Sequence, residues 1–257
     1  MLKNIKAVFF DLGGTYREVN EDREYALAAR KRIAEILCPA ADPDRYYDYI
    51  NKKYDVYREW ALHYTCEAPE EELWCRWLVP ELPREAVAPY AKELTYNFRA
   101  AKGRRLVVPG AIETSRELKA RGYLVGVISD LVGTLEIDEW LDNDGLRDLF
   151  CTVQQSSVTM LRKPHPAIYY LALQEAGVLA SDSVFVGDNL QRDIIGAKAT
   201  GFAGTIGIDY PATAPLKITD ENRPDGFIHA MDDLLAIFPG NGVYLPEMAS
   251  QEVKKAK

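Results

Sequence analysis

At 257 residues the chain is long for one average domain and short for two, which leaves one large α/β domain or a core carrying an inserted module. Its 47% hydrophobic and 27% charged residues are those of a globular protein and exclude a disordered, collagen-like or low-complexity chain. The 31 Lys and Arg against 39 Asp and Glu leave a net charge of −8. That balance excludes nucleic acid as the main partner, because phosphate backbones are held by Lys/Arg patches. A small anionic substrate, needing only local positive charge, stays open.

In chain order, the first predicted strand is Ile5–Phe10. Its apolar run stops at Asp11, far short of the roughly 20 residues a bilayer span needs, so no membrane partner is expected. With no export signal, the chain is expected to be cytoplasmic, and Cys38, Cys66, Cys75 and Cys151, which form no CxxC pair, to be reduced thiols. His63, Cys66 and Cys75 have no fourth ligand at a familiar zinc spacing. Residues 41–100 hold 12 of the 27 aromatic residues, on helical periods. One helix is expected to present Ala26, Ala29, Ile33 and Leu37 and to end at Pro39. A second presents Tyr46, Ile50, Tyr54, Tyr57, Ala61 and Tyr64 on one face. A short helix follows over Leu73–Leu78, and a further one uses Val87, Ala91, Leu94 and Phe98. Residues 18–104 therefore read as an all-helical module.

After Pro109 the pattern becomes helix, glycine, short apolar strand, three times over. Gly122 precedes the strand Tyr123–Ile128, Gly177 precedes Ser183–Val186, and Gly201 precedes Phe202–Ile208. Glycine ends each helix in the left-handed conformation, and helices alternating with buried strands predict a parallel sheet. The expectation is an α/β fold: a Rossmann-like, doubly wound parallel sheet of residues 1–17 and 105–257, into which the helical module 18–104 is inserted. The polar stretch 239–257 is expected to be a loose tail.

Ligands of open α/β sheets bind beyond the carboxyl ends of the strands. The first strand ends in Asp11-Leu12-Gly13-Gly14-Thr15, the second in Ser129-Asp130, and the third in Gly187-Asp188-Asn189, with Asp193 five residues after Asp188. Lys163 stands in Arg162-Lys163-Pro164-His165-Pro166, just before a helix. Three carboxylates, a hydroxyl and an ammonium thus converge on one sheet edge from distant parts of the chain.

These four segments, in this order, resemble the four motifs of the haloacid dehalogenase (HAD) superfamily of phosphohydrolases. They are Phe9–Thr15, Val127–Asp130, Arg162–Pro166, and Val186–Asp193 running on through Ile194-Ile195-Gly196-Ala197. The inserted module resembles, in position and helical character, the cap of many members. The resemblance implies a Mg²⁺-dependent hydrolase of a small phosphorylated metabolite. Asp11 would be nucleophile and metal ligand, with Asp188, Asp193 and the carbonyl of Gly13 completing the metal set. Ser129 and Lys163 would hold the phosphoryl oxygens, and the intermediate would be an aspartyl-phosphate.

One position departs from the pattern. Most phosphatases of the family carry a second aspartate two residues after the nucleophile, as general acid and base; here it is Gly13. A group of that kind contributes about 10²- to 10⁴-fold, and Asp130 or His165 would have to substitute for it. The departure keeps open a phosphotransferase, a phosphonate or carbon–halogen hydrolase, and a non-catalytic metal- or phosphate-binding protein. A phosphonate hydrolase of this family needs a cap lysine, for which Lys52 and Lys53 are the candidates, though a helix this charged reads as solvated surface. Arg17, at the hinge into the module, is in reach of an anionic substrate but reads equally as solvated.

Overall fold

Buried parallel strands are apolar on both faces, and the sequence supplies four such runs, those read above. In the computed structural model, which describes residues 4–211, 215–251 and 253, they pair into one sheet. In chain order the elements up to the sheet's second strand are β1 (Ala7–Phe10), β2 (Arg17–Asn20), α1 (Arg23–Leu37), α2 (Pro43–Tyr64), α3 (Glu70–Glu72), α4 (Arg84–Val87), α5 (Ala91–Ala100), β3 (Arg104–Val107), α6 (Ala111–Ala120) and β4 (Leu124–Ser129). There follow α7 (Leu135–Asn143), β5 (Thr152–Gln155), α8 (Ser156–Thr159), α9 (Pro166–Ala176), β6 (Ser183–Gly187), α10 (Ile195–Thr200), β7 (Gly204–Ile208), β8 (Gly226–Ile228) and α11 (Leu234–Ile237). Leu73–Leu78 and Leu190–Ile194 are π-helical turns.

The six-stranded sheet has the order β5-β4-β1-β6-β7-β8, with every neighbouring pair parallel. Its alternation is read directly from β1: Val8 and Phe10 face the larger core with Leu118, Val127 and Ile206, while Ala7 and Phe9 face Ile168, Tyr169 and Phe202. Burying one such side chain contributes about 1.5–3 kcal/mol. From β1 the chain moves outward through β4 and β5, then returns to β6 on the other side of β1. The strand order therefore reverses at β1, which opens a crevice at the carboxyl ends of β1, β4 and β6.

Between β2 and β3 the chain builds a helical body with its own core of Ala29, Ile33, Tyr57, Trp74, Leu94 and Phe98. Asp22 and Asp42 cap α1 and α2 by accepting from Tyr25 N and Arg45 N, both at 3.0 Å. The aromatic face of α2 is rotated slightly from its expected position: Tyr47, Ile50, Tyr57 and Ala61 are buried, Tyr46 and Tyr54 half-buried, and Tyr64 exposed.

Two expectations are corrected. The inserted segment is not helical throughout, because its two stems pair as an antiparallel ribbon, β2 with β3, in the register Arg17↔Val107 to Asn20↔Arg104. Such four-residue, charge-rich, half-exposed strands carry too little apolar alternation to be read from sequence. The stretch after Pro239 is not loose as far as Ser250. Tyr244 is buried in a stack on Phe238 with centroids 5.4 Å apart, and Ser250 exchanges backbone hydrogen bonds of 2.7 and 2.9 Å with Phe227. It covers the edge strand β8, whose backbone groups would otherwise lie open.

Candidate active site

The loop after β1 sets the geometry. Asp11 N donates to Val186 O at 2.9 Å, tying the buried Asp11 to β6. Tyr16 N and Arg17 N both donate to Leu12 O, and Gly14 N donates to Arg17 O at 2.8 Å, so the loop closes tightly. Gly14 has φ +83°, and a Cβ there would lie 2.4 Å from Asp188 Oδ2. Only glycine meets both demands. Gly13 is different: a Cβ added there meets nothing within 4 Å.

Lys163, expected beside the strand ends, lies fully inside. Its Nζ is 2.5 Å from Asp11 Oδ1 and 2.8 Å from Asp193 Oδ1. Burial alone would lower its ammonium, but the facing Asp11, Asp193 and Asp130 outweigh that and hold it above its ordinary value. Asp193 also accepts from Asn189 N at 3.0 Å through Oδ2. Among the described residues, Asp11, Asp188 and Asp193 each offer one oxygen such that all three lie within 4.8 Å of one another. Burial, joined by the charges of Asp11 and Asp193, pushes the Asp188 carboxyl up to about 8. Burial likewise raises Asp193, to about 6, against the opposing pull of Lys163. Among the described residues, the buried Asp188 Oδ1 has no hydrogen-bond partner. Crowded carboxylates with an orphaned oxygen are what a hard divalent cation requires, since it takes oxygen ligands and neutralises their repulsion.

Ser129, at the end of β4, is buried and lines the same cleft as Asp11. Asp130 also faces it, but its carboxylate is committed. Oδ1 accepts from Lys163 N at 2.8 Å, and Oδ2 faces Arg192 Nη1 at 3.4 Å and Arg162 Nη2 at 3.6 Å. His165 uses Nδ1 to cap α9, accepting from Ala167 N at 3.2 Å, and does not line the cleft. The two candidates for the missing acid are thus occupied elsewhere.

Above Asp11 lies a cleft of about 590 Å³ between sheet edge, ribbon and helical body. Arg17 is part of its wall rather than solvated surface. It stacks on Trp140 at 5.1 Å and hydrogen-bonds the Arg105 carbonyl, and its side chain is 16% exposed. Lys52 and Lys53 are absent from the lining; Lys53 pairs with Glu81 at 2.9 Å on the outer surface of the helical body. Sequence reasoning missed a buried clamp beneath the cap. Glu67 accepts from Tyr57 OH, from Ser156 Oγ at 2.8 Å and from Arg162, while Glu67 N donates to Met160 O and Arg162 N to Thr65 O. It also missed Arg192, whose only sequence signal was its place next to Asp193.

Residues 5–201 match the family model described as haloacid dehalogenase-like hydrolase. The chain belongs to that family. This HAD-like hydrolase is 30% identical over 251 residues to a phosphoglycolate phosphatase of Yersinia pseudotuberculosis, with 98% of each chain covered. It is 27% identical over 242 residues to a glyceraldehyde 3-phosphate phosphatase of Pyrococcus furiosus, covering 92% of this chain and 94% of the relative. Among solved structures, a 2-haloacid dehalogenase from Pseudomonas syringae superposes with TM-score 0.65 at 24% identity, covering 90% and 97% of the two chains. A HAD phosphatase from Thermococcus onnurineus gives TM-score 0.57 at 22% identity, with 91% and 97% covered. At such identities the likeness speaks for the shared HAD fold, here a parallel sheet with a helical insertion after its first strand.

Proposed function

We propose that this HAD-like hydrolase is a Mg²⁺-dependent phosphatase of a small phosphorylated metabolite, working through an aspartyl-phosphate on Asp11. One observation carries the reading: buried Asp11, Lys163 and Asp193 with half-buried Asp188 form one set, and of the four only Asp11 lines the cleft. Asp11 Oδ is the nucleophile, entering the substrate's phosphorus as the bond to the leaving oxygen breaks. Lys163, locked between Asp11 and Asp193, orients the nucleophile and offsets the negative charge gathering at the phosphoryl group. Ser129 donates its hydroxyl to a phosphoryl oxygen, and water then opens the acyl phosphate. Asp11, Asp188, Asp193 and the Gly13 carbonyl would hold the Mg²⁺, which supplies fixed positive charge against the approach of one anion to another.

The phosphatase names of the two relatives support a phosphate ester over a carbon–halogen bond, and about 590 Å³ admits a metabolite of a few carbons. The pairing of Lys53 with Glu81, and the absence of Lys52 and Lys53 from the cleft lining, favour a phosphate ester over a phosphonate. The test is p-nitrophenyl phosphate hydrolysis with Mg²⁺ and with EDTA, in the wild type and in Asp11→Asn. We expect metal-dependent turnover that the substitution abolishes while the melting profile persists. Full activity in Asp11→Asn would rule out the covalent route.

A further inference from the structure

With position 13 a glycine and both Asp130 and His165 committed, the question is what meets the charge that develops on a departing alkoxide. Lys163 lies beneath Asp11, 1% exposed and held by two carboxylates, and does not line the cleft. Of the arginines that do, Arg104 is paired with Asp22 at 2.9 Å, Arg99 and Arg105 share Glu136, and Arg17 is held by Trp140 and the Arg105 carbonyl. All four belong to the ribbon or the helical body.

Arg192 comes instead from the sheet-edge crevice. Its backbone is fixed from both sides: Arg192 N donates to Asn189 Oδ1 at 3.0 Å, and Tyr169 OH donates to Arg192 O at 2.6 Å. Its side chain is 25% exposed and lines the cleft together with Asp11, Gly13 and Ser129. The charges it faces are Asp193, Asp11 and Asp130, with Arg162 as the opposing cation. Among the described residues its one side-chain partner is Asp130 Oδ2 at 3.4 Å, a long contact that leaves donor capacity on the five-hydrogen guanidinium.

We infer that Arg192 is a catalytic residue that stabilises the leaving oxygen, taking up electrostatically part of what an acid at position 13 does by proton transfer. The inference rests on the phosphatase reading above. In the step concerned, an Asp11 oxygen bonds to phosphorus, the phosphorus–oxygen bond to the alcohol breaks, and its electron pair stays on the leaving oxygen. Arg192 hydrogen-bonds that oxygen while it carries charge and keeps its own protons. The oxygen then takes a proton from solvent water.

The test is the leaving-group dependence of kcat/KM, which reports steps through bond cleavage. Ethyl phosphate and p-nitrophenyl phosphate are compared in the wild type, Arg192→Gln and Arg192→Lys, each with Mg²⁺. Removing one donor to a developing oxyanion costs about 10²- to 10³-fold. We expect Arg192→Gln to lose about 100-fold on the alkyl ester and roughly tenfold or less on the aryl ester, whose phenolate spreads its own charge. Arg192→Lys should recover part of the alkyl loss. Because both esters are measured on one preparation, misfolded protein cancels in the ratio. Equal losses on the two esters, or a larger loss on the aryl ester, would overturn the inference while leaving the phosphatase reading intact. A wild type inert toward both esters would overturn the two together.

Discussion

Adding a carboxyl at Gly13 tests whether the chemistry is limited by a missing proton donor. The structure permits the change. Gly13 is exposed, its φ is not among the positive values, and an added Cβ meets nothing within 4 Å. Its neighbour shows the contrast, since a methyl at Gly14 would lie 2.4 Å from Asp188 Oδ2 at φ +83°. A well-placed general acid is worth about 10²- to 10⁴-fold. One grafted without its supporting contacts should realise the lower part of that, tenfold or more, equivalent to about 1.4 kcal/mol of barrier or above. The assay is kcat/KM for ethyl phosphate and p-nitrophenyl phosphate with Mg²⁺, for the wild type, Gly13→Asp and Gly14→Ala. Gly13→Asp should gain on the alkyl ester and less on the aryl ester, whose leaving group departs unaided; Gly14→Ala should lose both. No alkyl gain in a folded, Mg²⁺-binding Gly13→Asp would refute the idea of a phosphatase slowed by a missing acid. It would favour a reaction for which the glycine makes room.

Metal binding should depend more on Asp188, whose Oδ1 is unpartnered, than on Asp193, which Lys163 and Asn189 already engage; calorimetric titration of the two alanine variants with Mg²⁺ checks the order. Asp188 and Asp193 have folded-state values raised to about 8 and about 6, so their contribution disfavours the fold progressively as pH rises above the unfolded carboxylate range. A cation relieves that penalty, and the melting-temperature gain from Mg²⁺ over EDTA should be larger at pH 8 than at pH 5.5; equal gains would contradict the assigned ligands. Glu67→Ala should leave the buried Arg162 with only the longer Asp130 contact and cost at most about 3–5 kcal/mol, read by urea unfolding, with a loss below about 1 kcal/mol showing that the clamp is not structural.

The sequence alone determined where the candidate site residues stand along the chain. A strand buried on both faces must be apolar, so the first polar residue after it marks the sheet edge. Asp11, Ser129 and Asp188 were placed by that rule, and the helix-ending Gly177 and Gly201 marked out the strands that followed them. Helical periodicity likewise set α5, whose Ala91, Leu94 and Phe98 are all buried. These are local signals, written within ten residues. What tertiary structure decided involves partners far apart in the chain and individually unremarkable in type. Lys163 meets Asp11 across 152 positions, Arg162 meets Glu67 across 95, and Arg192 meets Asp130 across 62. An arginine before an aspartate, or a glutamate in a loop, carries no signal of its own until folding removes water from around it. The ribbon and the packed stretch after Pro239 belong to the same class, because edge strands and covering segments are held by backbone hydrogen bonds that any side chain permits.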